Sequence, residues 1–157
     1  MLLGNMLLAL AWAALLGHLS LGTLATGYLF GYLILLGLVR GGVLEPSPYI
    51  GRVHRVFGLA AYFVWDLVRA NLRLALDVAT PRYNMKPGIL AVPLDATTDS
   101  EILLLAMLIN LTPGSVALDV SPDRKVMYVH VMYISTPDRA RQEIKTGFER
   151  RVLDVLG

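Results

Sequence analysis

The first 39 residues of this 157-residue chain contain no aspartate, glutamate, lysine or arginine. Such a stretch fits the hydrocarbon of a lipid bilayer better than the surface of a water-soluble domain. Two apolar runs lie within it, Leu2–Gly17 and Thr23–Val39, separated by the weakly polar His18-Leu19-Ser20. A span needs about 20 residues, so each run is long enough only if this junction lies near the lipid surface. We therefore predict a transmembrane helical hairpin over residues 1–41, with both ends in the cytoplasm.

Arginines follow the apolar block closely. Arg40, Arg52 and Arg55 come soon after it, with Glu45 as the one acid among them. Positive residues beside a span favour the cytoplasmic side of the membrane, so we expect the rest of the chain there. The apolar start has no basic segment of the kind that a cleaved signal peptide needs, and we do not expect cleavage.

Two glycines in the second run, Gly27 and Gly31, stand four residues apart. This spacing places both on one helix face, where another helix can approach closely. Glycine is also generally frequent in membrane helices. The sequence leaves both interpretations open.

Residues 42–51 are rich in glycine and proline and are predicted to form a connector. Residues 52–80 follow as one amphipathic helix. On a helical wheel its polar side chains fall in a narrow arc centred on Asp66. The members of this charged arc are Asp66 itself, Arg52, Arg55, Tyr62, Arg69, Arg73 and Asp77. Oppositely charged members stand three or four residues apart, where side chains on a helix are neighbours; these pairs are Asp66–Arg69 and Arg73–Asp77.

Two placements of the amphipathic helix agree with this pattern. The helix lies in the cytoplasmic interface with its charged arc toward headgroups and water, or it is a third transmembrane span whose charges face other subunits. Its uncharged run, Val56–Trp65, has ten residues. A run of that length is more typical of an interfacial or buried helix than of a span. We therefore favour the interfacial placement.

Residues 86–157 alternate in type and predict a small cytoplasmic α+β domain of order β-α-β-β-α. Its predicted elements are strand Gly88–Leu94, helix Asp99–Leu111, strands Ser115–Val120 and Lys125–Tyr133, and helix Pro137–Leu156. The first helix is expected to be capped by Asp99 or Ser100 and stopped by Pro113-Gly114. Alternation along the strands and helical spacing predict the core. It should hold Val116, Leu118, Val120, Met127, Val129, Val131, Ile144, Phe148, Val152 and Leu156.

The segment Ile102–Ile109 is apolar all the way round the helix. A helix on a small open sheet should keep one polar face. The excess predicts contact with lipid, with the amphipathic helix or with another protein; full burial inside the domain is the alternative.

Chemistry-bearing motifs are absent from the sequence, which has no cysteine and three histidines. His18, His54 and His130 are far apart, so their spacing does not predict a metal site. Asp119 and His130 could approach across the predicted hairpin, but nothing orients the histidine for catalysis. His18 is the one ionisable side chain within residues 1–39 besides tyrosine, and it lies at the turn. We expect no catalytic, cofactor-binding or metal-binding residues, no cofactor and no enzyme activity.

Two stretches resemble a known family. The first is Met85-Lys86-Pro87-Gly88-Ile89-Leu90-Ala91-Val92-Pro93-Leu94-Asp95, followed by Asp99-Ser100-Glu101-Ile102. The second runs from Leu104-Leu105-Ala106 through Ile109-Asn110-Leu111-Thr112-Pro113-Gly114-Ser115 to Asp119-Val120-Ser121 and Tyr128-Val129-His130. With the apolar start, they look like the E subunits of the multisubunit Mrp-type Na+/H+ antiporters, the Mrp/Mnh/Pha E-subunit family.

The resemblance implies an accessory, structural and assembly subunit of a cation (Na+)/proton antiporter in a prokaryotic plasma (inner) membrane. In that family exchange is attributed to the large antiporter-like subunits, so no site residue carries over. Expected partners are those polytopic subunits, the small membrane subunits and the lipid bilayer, with no nucleic acid. Two alternatives stay open: a homologous subunit of a membrane-bound hydrogenase-type complex with an antiporter module, and a free-standing membrane-tethered binding module.

Overall fold

The computed structural model describes residues 1–45, 48–80 and 85–157. Its elements in chain order are α1 (Leu2–Leu15), α2 (Leu21–Arg40), α3 (Pro48–Ala79), β1 (Gly88–Pro93), α4 (Asp99–Leu111), β2 (Ser115–Val120), β3 (Val126–Val131), α5 (Pro137–Ile144), a π-helical turn (Lys145–Glu149) and α6 (Arg150–Leu156). The chain consists of two compact units, Met1–His54 and Arg55–Gly157. The predicted helical N-terminus and small β-sheet domain are confirmed.

The first unit is built on a hairpin in which α1 packs directly on α2. An added Cβ at Gly27 would lie 2.9 Å from the carbonyl oxygen of Ala9, and one at Gly31 would overlap Oδ1 of Asn5. The two glycines therefore let the helix backbones approach closely. Of the two interpretations that the sequence left open, specific packing is the one that the structure shows.

The turn between these helices ends at a capping box. Ser20 Oγ accepts a hydrogen bond from the Thr23 amide at 3.1 Å, and the Ser20 amide donates to Thr23 Oγ1 at 2.9 Å. With 20 residues, α2 is long and apolar enough to cross a membrane, whereas α1 is apolar but has 14 residues. At about 1.5 Å per residue, α1 falls short of a hydrocarbon core about 30 Å thick. Within the described ranges, α2 is the one helix that meets both conditions for a span.

Helix α3 starts at Pro48, ahead of the predicted start at residue 52, and is 32 residues long. Proline is accepted in a first turn because its missing N–H would have no partner inside the helix. Residues 46 and 47 of the predicted connector, and residues 81–84 after α3, lie outside the described residues.

A polar contact that the sequence did not predict joins the start of α3 to the hairpin. Asn5 is completely buried, and its Nδ2 donates to the Tyr49 hydroxyl at 2.8 Å. The hydroxyls of Tyr49 and Tyr28 are also hydrogen-bonded to each other. These bonds satisfy the Asn5 side-chain N–H group and the tyrosine hydroxyls, which would otherwise be costly in an apolar environment, while Oδ1 of Asn5 has no hydrogen-bond partner among the described residues.

The second unit contains an antiparallel sheet with strand order β1-β3-β2. The inner face of the sheet packs with α4, α6 and part of α3 into a single core. Its buried members are Leu59, Leu90, Val92, Ala96, Ile102, Leu105, Leu108, Ile109, Met127, Val129, Ala140, Phe148, Val152 and Val155. Helices cover one face of the sheet, and the other face is open.

The predicted core positions of β2 are wrong for Val116 and Leu118, which are 46% and 53% exposed. A β-bulge explains the difference, because Ala117 pairs with Val129 and the next paired residue of β2 is Asp119. The extra residue breaks the two-residue alternation. Ala117 and Val120 therefore face the core together; Val120 was predicted to do so and Ala117 was not.

The closing helix contains a second irregularity. A π-helical turn, Lys145–Glu149, separates α5 from α6. Its extra residue rotates the faces that follow, so Val152 and Val155 are buried beside Phe148. The prediction that Leu156 lies in the core is wrong, since this side chain is 41% exposed at the chain end.

A capping box one residue earlier than predicted begins α4. Thr98, not Asp99 or Ser100, is the cap: its Oγ1 accepts from the Glu101 amide at 3.3 Å, and Glu101 Oε2 accepts from the Thr98 amide at 2.9 Å. These backbone bonds hold the pKa of Glu101 below its ordinary value. At the other end Gly114 takes a positive φ of 91°, a conformation that suits glycine, and turns the chain into β2.

Two apolar surfaces of this unit stay uncovered. The α4 stripe consists of Leu103, Met107 and Leu111, all exposed. The open sheet face carries Ile89, Val116, Leu118 and Tyr128, also exposed. The predicted alternative of full burial for α4 is therefore wrong, and the two surfaces are available to another molecule.

Candidate functional site on the amphipathic helix

The charged side of α3 packs against the α+β domain through Tyr62. Its ring lies 5.3 Å from that of Phe148 in an edge-on arrangement, and the guanidinium carbon of Arg151 lies 3.9 Å from its centroid. Gly147 makes room for the phenol, since a Cβ there would overlap the Tyr62 hydroxyl. Leu59, one turn earlier, is part of the core. Tyr62 and Leu59 therefore fix α3 to the domain.

A cavity of 140 Å³ lies beside Tyr62. Charged and phenolic side chains contribute much of its lining: Tyr62, Asp66, Arg69, Arg73, Tyr133 and Glu143. Residues Thr112, Pro113, Gly114 and Ser115 line it as well. The charged arc of α3 and the Thr-Pro-Gly-Ser turn thus line the same cavity. In the sequence analysis they were two separate features.

The environment changes the acid–base behaviour of the α3 side chains. Burial raises the pKa of Asp66, and the charges of Arg69 and Arg73 offset part of that effect. Burial also raises the pKa of Tyr62, and the nearby Asp66 charge adds to the increase. The guanidinium carbon of Arg73 lies 5.2 Å from the centroid of the Tyr133 ring, a distance suited to a cation–π contact.

The structure divides the charged arc into exposed arginines and more buried acids. Arg69 and Arg73 are exposed, whereas Asp66 is half-buried and Asp77 is buried. In the part of the chain that the structure describes, neither predicted pair, Asp66–Arg69 or Arg73–Asp77, forms an ion pair. The helix therefore turns its acids toward its own domain and leaves its arginines outside.

The opposite side of α3 carries exposed large apolar side chains. They form the α3 stripe: Phe57, Val64, Trp65, Val68, Leu72 and Leu76. Such a stripe on a helix that is already packed on its other side indicates contact with lipid or with another protein.

The structure keeps the three histidines apart. His18 lies between α1 and α2, His54 in α3 and His130 in β3. Asp119 is not paired with His130 across the hairpin, because the bulge pairs Asp119 with Tyr128 and puts Val116 opposite His130. Among residues 1–45, 48–80 and 85–157, no three side chains of histidine, aspartate or glutamate are grouped to hold a metal ion.

The π-helical turn holds a buried carboxylate that the sequence analysis missed. Glu149 is 1% exposed, and its Oε1 accepts from the amides of Asp95 at 2.6 Å and Ala96 at 3.1 Å. Lys145 Nζ lies 2.8 Å from Oε2 of Glu149 and 2.9 Å from Asp95. Burial works to lower the pKa of Lys145, but the bonds to the two carboxylates outweigh it and raise the pKa. The i,i+4 spacing of Lys145 and Glu149 was visible in the sequence; their burial was not.

Comparison with known proteins matches nearly the whole chain. The model of a family described as a Na+/H+ ion antiporter subunit matches residues 5–155. The E subunit of the Na(+)/H(+) antiporter of Bacillus subtilis is 33% identical over 151 residues, covering 96% of this chain and 94% of the relative. The E subunit of the Alkalihalophilus pseudofirmus antiporter is 34% identical with the same coverage.

Two solved structures share the fold. A chain of the Mrp complex from Dietzia is 24% identical with a TM-score of 0.51, covering 66% of this chain and 96% of that one. A chain of the membrane-bound sulfane sulfur reductase, an archaeal respiratory membrane complex, is 27% identical with a TM-score of 0.57, covering 96% and 95%.

Proposed function

The chain belongs to the E-subunit family of Na+/H+ antiporters, and from that premise we propose that it is an accessory, structural and assembly subunit that has no ion-exchange site of its own. The observation that carries this proposal is the absence of charge from the membrane part of the sequence. Residues 1–39 contain one ionisable side chain besides tyrosine, His18, and it lies in the turn between α1 and α2. Ion paths need ionisable groups within the membrane, so exchange belongs to other subunits.

A second candidate function is a place in a related respiratory membrane complex. The likeness to the archaeal sulfane sulfur reductase chain over nearly the full length supports it. In both cases the chain is a small subunit of a large membrane assembly. The uncovered α4 stripe and open sheet face then serve as contact surfaces for neighbouring subunits, which accounts for apolar side chains that water would not favour.

Purification in mild detergent tests the accessory role. With an affinity tag on this chain, large polytopic subunits should co-purify in fixed proportion, because the apolar surfaces bind them. The matched control is the same tag on an unrelated small membrane protein of the same cells. Recovery of the chain alone, at the level of that control, would favour a free-standing membrane-tethered module.

We further propose that the chain is multi-pass, that α3 lies in the cytoplasmic interface and that residues 86–157 are cytoplasmic. Because α1 alone has 14 residues, the multi-pass arrangement requires the apolar run Leu2–Gly17 to cross with its His18–Ser20 end near the lipid surface. Two crossings would return the chain to its starting side, and Arg40, Arg52 and Arg55 favour the cytoplasm. The exposed α3 stripe supports the interfacial placement, since a helix packed on a domain through its polar side can rest on lipid with its apolar side.

Cysteine labelling tests this topology, and the natural absence of cysteine makes each introduced thiol unique. Glu45→Cys and Asp138→Cys should both resist an impermeant thiol reagent in intact cells, and both should react once the cells are permeabilised. Reaction of Asp138→Cys alone in intact cells would identify α3 as a third span. Reaction of both would place the hairpin the other way round.

A further inference from the structure

A groove of 580 Å³ runs along one flank of α3. Its described lining combines part of the α3 stripe with two arginines: Trp65, Val68, Arg69, Leu72, Arg73, Leu76, Asp77 and Thr80. The residues recur every three or four positions, so they share one helix face. Apolar and basic side chains therefore lie next to each other along the same groove.

The two arginines of this groove interact with the charge of Asp66 but have no direct ion-pair partner among the described residues. Arg69 and Arg73 are both exposed. Asp77, the acid in the groove, is buried. At i and i+4 the two guanidinium groups project from the same side of the helix, so the groove lining has two exposed basic groups and one buried acid, Asp77.

The other flank of α3 has no such charge. Leu67, Asn71 and Leu74 occupy it by helical periodicity, and Asn71 donates its side-chain amide to the Leu67 carbonyl at 2.7 Å. The basic groups are therefore confined to one border of the apolar stripe. An ordinary amphipathic helix has no need to place its basic side chains on one border of the apolar stripe and none on the other.

We infer that the groove binds an anionic phospholipid, whose headgroup phosphate lies between Arg69 and Arg73 and whose acyl chain lies on Trp65, Leu72 and Leu76. The inference rests on the proposed interfacial placement of α3. Guanidinium groups bind phosphate oxygens through paired hydrogen bonds. Tryptophan is favoured at the membrane–water interface, so Trp65 can contact the part of the acyl chain that lies next to the headgroup.

Quenching of Trp65 fluorescence by brominated lipids tests the inference in the full chain. The chain has two tryptophans, so Trp12→Phe leaves Trp65 as the reporter. The protein is placed in phosphatidylcholine vesicles that contain a small, fixed fraction of either phosphatidylglycerol or phosphatidylcholine with brominated acyl chains. The brominated phosphatidylglycerol should quench at least about twofold more, given the usual attraction of arginine to anionic lipid.

Two double variants make the comparison specific. Arg69→Gln/Arg73→Gln should quench equally with both lipids, while Arg124→Gln/Arg150→Gln, which removes one charge between β2 and β3 and one at the start of α6, should keep the excess. Inorganic phosphate at constant ionic strength should leave the excess unchanged; if it abolishes the excess, the groove is a site for free phosphate and the lipid assignment is overturned.

The remaining outcomes separate this inference from the proposed function. Equal quenching by both lipids in the unmodified groove would keep α3 at the interface and overturn the headgroup selection. Absence of quenching by either lipid would overturn both, because Trp65 would then have no contact with acyl chains.

Discussion

Replacing Gly31 by leucine is expected to separate α1 from α2 and to remove the chain from its complex. A side chain at this position would overlap Oδ1 of Asn5, which is completely buried against α2. Overpacking of a tight contact costs about 1–3 kcal/mol, and displacing Asn5 would also break its bond to Tyr49. We expect at least about a tenfold loss of co-purification, since 1.4 kcal/mol corresponds to that factor.

Gly37→Leu is the matched control for this experiment. Gly37 lies in the same helix, and an added Cβ there meets no atom within 4 Å. The measurement is the amount of tagged chain in the membrane and the amount of polytopic subunit that co-purifies with it. Equal behaviour of the two variants would show that the hairpin contact is not needed for assembly.

The second large effect is expected from Glu149→Ala in the α+β domain. Removal of the carboxylate leaves the Asp95 and Ala96 amides without their acceptor and Lys145 with one carboxylate partner in place of two. Removing one member of a buried ion pair costs about 3–5 kcal/mol. Because the Lys145 side chain is 22% exposed, we expect the lower end of that range, about 3 kcal/mol.

Hydrogen–deuterium exchange of the full chain in detergent measures this effect locally and globally. The amides of Asp95 and Ala96 should lose protection first, followed by those of the core strands. Glu143→Ala is the control, because its carboxylate is 65% exposed and pairs with Arg139 on the surface, where such pairs contribute about 0–1 kcal/mol. Unchanged protection of Asp95 and Ala96 in Glu149→Ala would contradict the structural role of this carboxylate.

The coarse architecture could be predicted from the sequence because it depends on strong, repeated signals. The charge-free start, the wheel pattern around Asp66 and the stop at Pro113-Gly114 each extend over several residues or use residues with restricted backbones. The cap at Thr98 could also be predicted, since Thr98 and Glu101 have the capping-box spacing. Asp99 and Ser100 are also favoured N-cap residues, and the prediction chose them in place of Thr98.

The errors occur where one inserted residue changes the direction of side chains. The bulge in β2 exposes Val116 and Leu118, and the π-helical turn precedes the exposed Leu156. No particular residue type predicts either the bulge or the π-helical turn at these positions. The site on α3 depends on tertiary packing: the wheel placed Asp77 on the charged arc, but the fold of the domain decides that Asp77 is buried while Arg69 is exposed.

The central claim is that this chain supports the antiporter without carrying the exchanged ion. Na+/H+ exchange by the purified complex in proteoliposomes tests it directly, with His18→Ala, Asp66→Asn and Glu143→Gln introduced one at a time. We predict unchanged exchange per assembled complex in each case, since His18 lies in a turn and the two acids lie on α3 and α5. Loss of exchange in any variant that assembles in normal amount would contradict the claim.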